Sequence, residues 1–182
     1  IWVFQMARKT KKRMLKVIIS GPESSGKTTL CNQLSVHFKK PFIKEFSREY
    51  INEINRKYTQ EDLLEIAKNQ YKLEYQINEN LIFIDTDLIT IKIWSQYKYV
   101  GCHKWILSKI KEQREENRFY ILCFPDIAWE FDIQRENKEN RHELFNIYKK
   151  ELEKQAHNYM IIKGDRRVEK IIKEISALIM DI

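Results

Sequence analysis

LKVIISGPESSGKT, residues 15–28, joins a short apolar run to the pattern G-x-x-x-x-G-K-[ST]. The run at 15–20 is rich in β-branched residues and ends at Gly21, which is typical of a buried parallel strand. After the loop, apolar residues recur every four positions from 30 to 38, which predicts an amphipathic helix that ends before Pro41. Because a strand, this loop and a helix follow one another in that order, the sequence predicts a phosphate-binding loop and hence nucleotide binding.

The residue types of this Walker A loop suit phosphate. We expect its backbone N–H groups and the start of the following helix to surround the phosphates, while Lys27 reaches the β- and γ-phosphate oxygens. The Thr28 hydroxyl is a ligand for Mg²⁺ in such loops, so ATP and Mg²⁺ are the expected cofactors. The residues predicted to bind the nucleotide are Gly21, Glu23, Ser24, Ser25, Gly26, Lys27 and Thr28.

Strand and helix patterns alternate along the rest of the chain. Further strands are predicted at 41–44, 81–84, 119–124 and 159–162. Thr59 and Asp62 form a capping-box pattern that begins a long helix. The face predicted to be buried on this helix carries Leu64, Ala67, Tyr71 and Tyr75. The alternation predicts an α/β fold of the three-layer P-loop NTPase type, in which helices cover both faces of a five-stranded parallel sheet.

Composition excludes several classes of protein. With 43% hydrophobic and 32% charged residues, and only four glycines and three prolines, the 182-residue chain is of the ordinary globular type. No apolar run approaches the ~18 residues of a membrane-spanning helix, so no membrane association is expected. The three cysteines are far apart and form no C-x-x-C pair, which argues against a disulfide framework or a zinc site and favours a cytoplasmic location.

Most of the positive charge lies at the beginning of the chain. Five basic residues at 8–13 account for five of the formal net charges of +7, which leaves +2 for the remainder. We expect residues 1–13 to be a basic, disordered extension, with Met6 or Met14 as candidate initiators, and residues 14–182 to form a single domain. Since the domain itself is nearly balanced in charge, nucleic acid is not an expected partner.

Carboxylates follow two of the predicted strands, at the sheet edge where open α/β folds bind ligands. Asp85 ends the third strand, as expected of a carboxylate that holds Mg²⁺ directly or through water, although a helix N-cap is the alternative. Asp87 follows two residues later and could face the phosphate acceptor. Glu45, after the second strand, could take the proton of an acceptor hydroxyl, and a solvent-exposed glutamate is the alternative.

Four segments occur in a characteristic order: GPESSGKTTL at 21–30, EFSREY at 45–50, IDTDLITIKIW at 84–94 and PDIAWEFDIQR at 125–135. This series resembles the ribosylnicotinamide kinase domain of the bacterial NadR type, a P-loop kinase family. The resemblance implies an adenylate-kinase-like fold with a lid. It also implies transfer of the γ-phosphate of ATP to the 5′-hydroxyl of nicotinamide riboside, which yields nicotinamide mononucleotide and serves NAD biosynthesis.

The resemblance also implies roles for individual residues. Thr29 would join the ATP site, and Asp85 would belong to the acceptor side with Glu45, Arg48 and Asp87. The family's acceptor carries a flat cationic ring, which suits an aromatic clamp. Trp94, Tyr97 and Trp129 are available for such a clamp, although core packing is the alternative for each.

The stretch after Trp129 is expected to be the mobile lid of this kinase family. Arg135 and Arg141 are placed to reach the transferring phosphate and to offset its charge, so we count both among the candidate catalytic residues with Lys27. A solvated charged helix is the alternative for this stretch. The family's lid often reads D-G-x-R, whereas residues 132–135 here read DIQR and lack the glycine.

Other functions fit the same motifs. The chain could phosphorylate another nucleoside or small hydroxyl compound, or it could be a switch that binds ATP or GTP without phosphorylating an acceptor. Guanine specificity has little support, because Asn137-Lys138-Glu139-Asn140 lacks the final aspartate of N-K-x-D. The expected partners are therefore a nucleotide and a nucleoside-like small molecule.

Overall fold

A computed structural model describes residues 14–132 and 134–180 of the chain, so the predicted extension at 1–13 lies outside the described residues. Five strands alternate with seven helices in this part of the chain. In order they are β1 (Leu15–Ser20), α1 (Lys27–Phe38), β2 (Phe42–Ile43), α2 (Phe46–Ile54), α3 (Gln60–Gln76), β3 (Leu81–Asp85), α4 (Leu88–Tyr99), α5 (Lys104–Gln113), β4 (Arg118–Cys123), α6 (Arg141–Lys154), β5 (Asn158–Ile162) and α7 (Arg167–Met180).

All five strands belong to one parallel sheet, in the order β2-β3-β1-β4-β5. Val17 and Ile19 of the central strand pack with α1 and α7 on one face, while Ile18 packs with α3, α4, α5 and α6 on the other. The predicted three-layer α/β fold with a five-stranded parallel sheet is confirmed. None of the described helices is both long and apolar enough to cross a lipid bilayer.

Helix α3 begins as predicted, and its buried face is shifted from the predicted one. The Thr59 hydroxyl accepts a hydrogen bond from the backbone N–H of Asp62, and the Asp62 carboxylate accepts one from the backbone N–H of Thr59, so the capping box is present. Ala67 of the predicted stripe is fully buried, and Leu64 and Tyr71 are partly buried against the core. The other buried positions lie one residue before the predicted ones, at Leu63, Ile66, Gln70 and Glu74. Tyr75, the last residue of the predicted stripe, is 45% exposed, because the polar side chain of Glu74 is buried instead.

Glu74 is buried because it neutralises two cations from the neighbouring strands. Lys16 and Arg118 are paired in register on β1 and β4. The Lys16 ammonium lies 2.8 Å from Glu74 Oε1 and 2.8 Å from Glu116 Oε2, and the Arg118 guanidinium bonds both glutamates as well. Asp87 Oδ2 lies 3.4 Å from Arg118. We call these five side chains the buried ion cluster.

Residues 124–140, between β4 and α6, form the lid segment. Described residues of this segment contact the phosphate loop: Ser24 Oγ accepts a bond of 3.0 Å from the N–H of Glu130, and Glu23 Oε2 accepts one of 3.0 Å from the N–H of Asn137. The described stretch 134–140 contains no helix, whereas Arg141 is the first residue of helix α6, so the helix offered as the alternative begins only at Arg141. The lid segment instead folds back over the loop.

Candidate active site

The phosphate loop ends at an uncapped helix N-terminus. Gly26 precedes α1 in a left-handed conformation with φ 87°, and no side chain in the described part of the chain caps the first N–H groups of the helix. The Ser25 hydroxyl and the Lys27 ammonium both donate to the carbonyl of Pro22, at 2.7 and 2.8 Å. These two bonds link the end of the loop back to Pro22 near its start and so fix its curved conformation. Free N–H groups at a helix N-terminus next to a lysine are suited to binding phosphate.

Gly21 is required where the loop leaves β1. Its φ is +131°, and a Cβ atom there would lie 2.8 Å from the carbonyl oxygen of Cys123 on β4. We therefore expect Gly21→Ala to lower the free energy of unfolding by about 2–4 kcal/mol through backbone strain and overpacking, and to weaken ATP binding.

Gly164→Ala is the matched control for this glycine. Gly164 also has a positive φ, +66°, but no atom of the described residues lies within 4 Å of the position that a Cβ would take. We expect it to cost only about 1–2 kcal/mol and to leave ATP binding unchanged. Urea denaturation and calorimetric ATP titration of both variants measure the difference, and equal effects would contradict the close approach to β4.

Asp85 lies beside the phosphate loop and meets Thr28. The Thr28 hydroxyl donates to Asp85 Oδ2 at 2.5 Å, and the side chain of Asp85 is almost fully buried at the end of β3. Burial raises its pKa to about 6, and the nearby charge of Glu45 adds to this rise. Oδ1 of Asp85 is buried and has no hydrogen-bond partner among the described residues. A hydroxyl and a carboxylate with an unpaired oxygen fit the ligand preference of Mg²⁺.

Asp87 lies away from the phosphate loop. Thr86 has φ +73°, so the strand alternation stops after Asp85 and Asp87 turns to the opposite face of the sheet. There its carboxylate is fully buried, accepts from the backbone N–H of Thr90 as the N-cap of α4, and accepts from the Tyr120 hydroxyl at 2.6 Å. The structure therefore places Asp87 in the buried ion cluster, whereas the sequence predicted that it could face the acceptor.

A cavity of about 360 Å³ extends from the phosphate loop to Glu45 and Arg48. It brings together most of the predicted site: residues 23–29, Glu45, Arg48, Trp94 and Arg135 all line it. Five predicted residues do not line the cavity. These are Gly21, Asp85, Asp87, Trp129 and Arg141.

Glu45 and its neighbours line the part of this cavity that the sequence analysis assigned to the acceptor. Glu45 immediately precedes α2, and its carboxylate accepts a bond of 2.7 Å from the Ser47 hydroxyl. The Arg48 Nε lies 3.5 Å from the other oxygen of Glu45, and Arg48 Nη1 lies 2.9 Å from Asp132 of the lid segment. Ser47 was not predicted from the sequence. The Glu45 carboxylate is thus oriented by a hydroxyl and a guanidinium while it lines the cavity.

The two arginines that the sequence analysis placed in the lid occupy different positions, since Arg135 belongs to the lid segment and Arg141 begins α6. Arg135 lines the cavity, and its Nη1 lies 3.5 Å from the Ser24 hydroxyl. Arg141 instead donates to the carbonyl oxygens of Ser24 and Ile127, at 3.3 and 3.0 Å, and its guanidinium lies 5.6 Å from the centre of the Trp129 ring. Arg141 and Trp129 therefore hold the lid segment against the phosphate loop, and Arg135 is the lid arginine that faces the cavity.

Three further lining residues form a contact that no sequence motif indicated. The Lys98 ammonium lies 3.8 Å from the centre of the Tyr58 ring and 3.1 and 3.2 Å from the carboxylate oxygens of Glu136. Tyr97, proposed for the aromatic clamp, lines the same cavity. Tyr58, Lys98 and Glu136 come from three separate parts of the chain, so only the fold brings them together.

Solved structures share this fold. The NadR protein in complex with NR is similar with a TM-score of 0.68 and 21% identity over 89% of this chain and 50% of that one. Deoxyadenosine kinase from M. mycoides, with dCMP and dCDP bound, has a TM-score of 0.59 and 14% identity over 92% of this chain and 100% of its own. This chain spans about half the length of the NadR proteins that it matches. The adenylate-kinase-like class of P-loop fold is confirmed.

Comparison by sequence identifies a family but no individual relative among the curated proteins. None of the curated proteins matches this sequence. The family model described as AAA domain matches residues 16–168, from the first strand to the start of the last helix. Since the match includes the phosphate loop, Asp85 and the lid segment and extends over most of its length, the chain belongs to the AAA domain family.

Proposed function

We propose that this protein is an ATP-dependent small-molecule kinase that phosphorylates the 5′-hydroxyl of nicotinamide riboside. The observation that carries the proposal is a cavity lined both by the phosphate loop and by Glu45. A phosphate donor and a hydroxyl acceptor can meet in such a cavity, which is what phosphoryl transfer requires. The similarity in fold to a NadR protein bound to NR and to a deoxyadenosine kinase supports a nucleoside as the acceptor.

The nucleotide side is assigned to the phosphate loop. The N–H groups at the start of α1 and the Lys27 ammonium bind the phosphates. Thr28 Oγ1 and Asp85 are the residues that would hold Mg²⁺, which when bound offsets negative charge on the phosphate oxygens. Arg135, from the lid segment, stabilises the charge on the transferring group.

The acceptor side is assigned to Glu45 and Arg48. The acceptor hydroxyl oxygen forms a bond to the γ-phosphorus, the bond from that phosphorus to the β–γ bridging oxygen breaks, and ADP leaves. The proton of the hydroxyl passes to the Glu45 carboxylate, which Ser47 and Arg48 hold in place. Trp94 and Tyr97 offer aromatic surface to the nicotinamide ring.

The reaction is tested by ADP release from Mg-ATP, with and without nicotinamide riboside and a panel of other nucleosides. Riboside-dependent release is the expected result. Release with a different nucleoside alone would preserve the mechanism and change the substrate. A slow background rate with every acceptor, together with tight nucleotide binding, would overturn the proposal in favour of a nucleotide-dependent switch.

Glu45→Gln tests the proton acceptor. Because the amide keeps the hydrogen bond from Ser47 but cannot accept a proton, we expect acceptor-dependent turnover to fall about 10²–10⁴-fold. The ATP dissociation constant should change less than twofold, because Glu45 is assigned to the acceptor side. Glu49→Gln, in the first turn of α2 just after Glu45 but outside the cavity lining, is the control and should retain full turnover. Unchanged kinetics for Glu45→Gln would remove the proton acceptor role from this residue.

A further inference from the structure

The contact of Lys98 with Tyr58 and Glu136 lies in the wall of the cavity. Lys98 is near the end of α4, Tyr58 precedes α3, and Glu136 belongs to the lid segment, so three separate elements meet at one ammonium group. The ammonium lies over the face of the Tyr58 ring, at 3.8 Å from its centre, and bonds both oxygens of Glu136. Tyr58 and Glu136 together form a site for a cation, and a residue of the protein itself occupies it.

An aromatic face and a carboxylate are also what a flat organic cation prefers. Partial burial disfavours the charged form of Lys98, but its contacts with Tyr58 and Glu136 outweigh this and raise the pKa of Lys98 above its usual value. The side chain therefore remains charged at neutral pH. It is also 31% exposed, and Glu136 is 51% exposed, so the ion pair is not locked in the interior and can be displaced at modest cost.

We propose that Lys98 is a specificity-determining residue whose ammonium competes with a positively charged ring of the acceptor for Tyr58 and Glu136. The inference rests on the proposed function, which places the acceptor ring among the aromatic side chains of this cavity. A cationic ring has to displace the Lys98 ammonium or approach it against electrostatic repulsion, and both weaken its binding. A neutral ring is not repelled by the ammonium and does not need to replace it. Lys98 thus weakens the preference for a cationic ring and admits ribosides with neutral rings alongside nicotinamide riboside.

The test compares two small ligands that share a ring and an amide but differ in charge. Nicotinamide is neutral, and 1-methylnicotinamide is a cation, and each is titrated calorimetrically into the full chain. Lys98→Met removes the charge and keeps the length of the side chain. We expect it to tighten binding of 1-methylnicotinamide about tenfold, within the usual range of cation–π energies, while binding of nicotinamide changes less than twofold.

Two further variants separate charge from structure. Lys98→Arg retains a cation and should bind 1-methylnicotinamide within twofold of the unchanged protein. Lys109→Met is the matched control, because the Lys109 ammonium also lies near an aromatic ring, 5.5 Å from the centre of Tyr71, and bonds Glu112 at 2.7 Å, but does not line the cavity. It should change neither affinity.

The outcomes separate this inference from the proposed reaction. The inference is overturned if Lys98→Met does not tighten binding of the cation, if both ligands gain equally, or if Lys109→Met gives the same gain. The same variants are assayed for ADP release with nicotinamide riboside and with inosine, a riboside with a neutral ring. A charge-selective gain in binding without riboside-dependent ADP release would support the specificity role of Lys98 and overturn the proposed reaction. Riboside-dependent ADP release without a charge-selective gain in binding would support the reaction and overturn the role of Lys98.

Discussion

Lys27→Ala is expected to lower turnover by at least about 10³-fold while the protein remains folded. The Lys27 ammonium lies beside the phosphate loop and its bond in the structure is to the carbonyl of Pro22, so its removal takes a positive charge from the place where negative charge accumulates during phosphoryl transfer. The loop keeps its second internal bond, from Ser25 to Pro22. The free energy of unfolding should therefore change by less than about 1 kcal/mol.

The measurement is the steady-state rate of ADP release, together with urea denaturation of the same preparation. Lys44→Ala is the matched control, because Lys44 is exposed and lies outside the cavity lining, and it should retain full turnover. A Lys27→Ala protein that is folded and nearly as active as the unchanged chain would refute the assignment of the phosphate loop. An unfolded variant would refute the claim that Lys27 contributes little to stability.

Asp87→Ala is expected to lower the free energy of unfolding by about 3–5 kcal/mol. The change leaves the buried Tyr120 hydroxyl without its acceptor, weakens the compensation of the Arg118 charge and removes the N-cap of α4. Thr59→Ala, which removes only the cap of α3, should cost about 1 kcal/mol and serves as the reference for a cap alone. Urea denaturation measures both values.

Asp87→Asn separates stability from catalysis. The amide oxygen can replace Oδ1 as the N-cap of α4, but the NH2 group then takes the place of Oδ2, which accepts from Tyr120 and pairs with Arg118. Because the cap is kept, we expect a smaller loss of stability than for alanine, and a nearly unchanged KM for the acceptor when the assay is run well below the unfolding temperature. If this variant keeps ATP binding but loses acceptor-dependent turnover, Asp87 belongs to the acceptor site after all, and Glu45 would not be the only carboxylate needed there.

The strands and their order along the chain were predictable because their signals are local. The apolar run at 15–20 and the capping box of Thr59 and Asp62 each depend on residues that are adjacent or three positions apart. The phosphate loop was predictable for the same reason. The buried face of α3 was predictable only in part: Ala67 is buried as expected, but Gln70 and Glu74 are polar and are buried only through partners on other elements.

The residues predicted to bind the acceptor were harder to place from the sequence, because their positions depend on contacts between distant parts of the chain. The position of Asp87 depends on the positive φ of Thr86, which no periodic pattern reveals. Tyr58 lies about 40 residues before Lys98 in the chain, and Glu136 lies about 40 residues after it. Their contact therefore follows from the packing of helices and the lid segment rather than from any motif. The specificity for the acceptor is therefore harder to predict from the sequence than phosphate binding.

The buried ion cluster constrains how this sequence can evolve. Glu74 lies between Lys16 and Arg118, so a lineage that replaces the glutamate alone leaves two buried cations with Glu116 as their one shared counter-charge. Replacing Arg118 alone leaves the buried carboxylates of Glu74 and Asp87 with less compensation, so each single step is costly. We therefore expect Lys16, Glu74 and Arg118 to be inherited or lost together among relatives, as a correlated block on a helix and two strands that are distant in sequence.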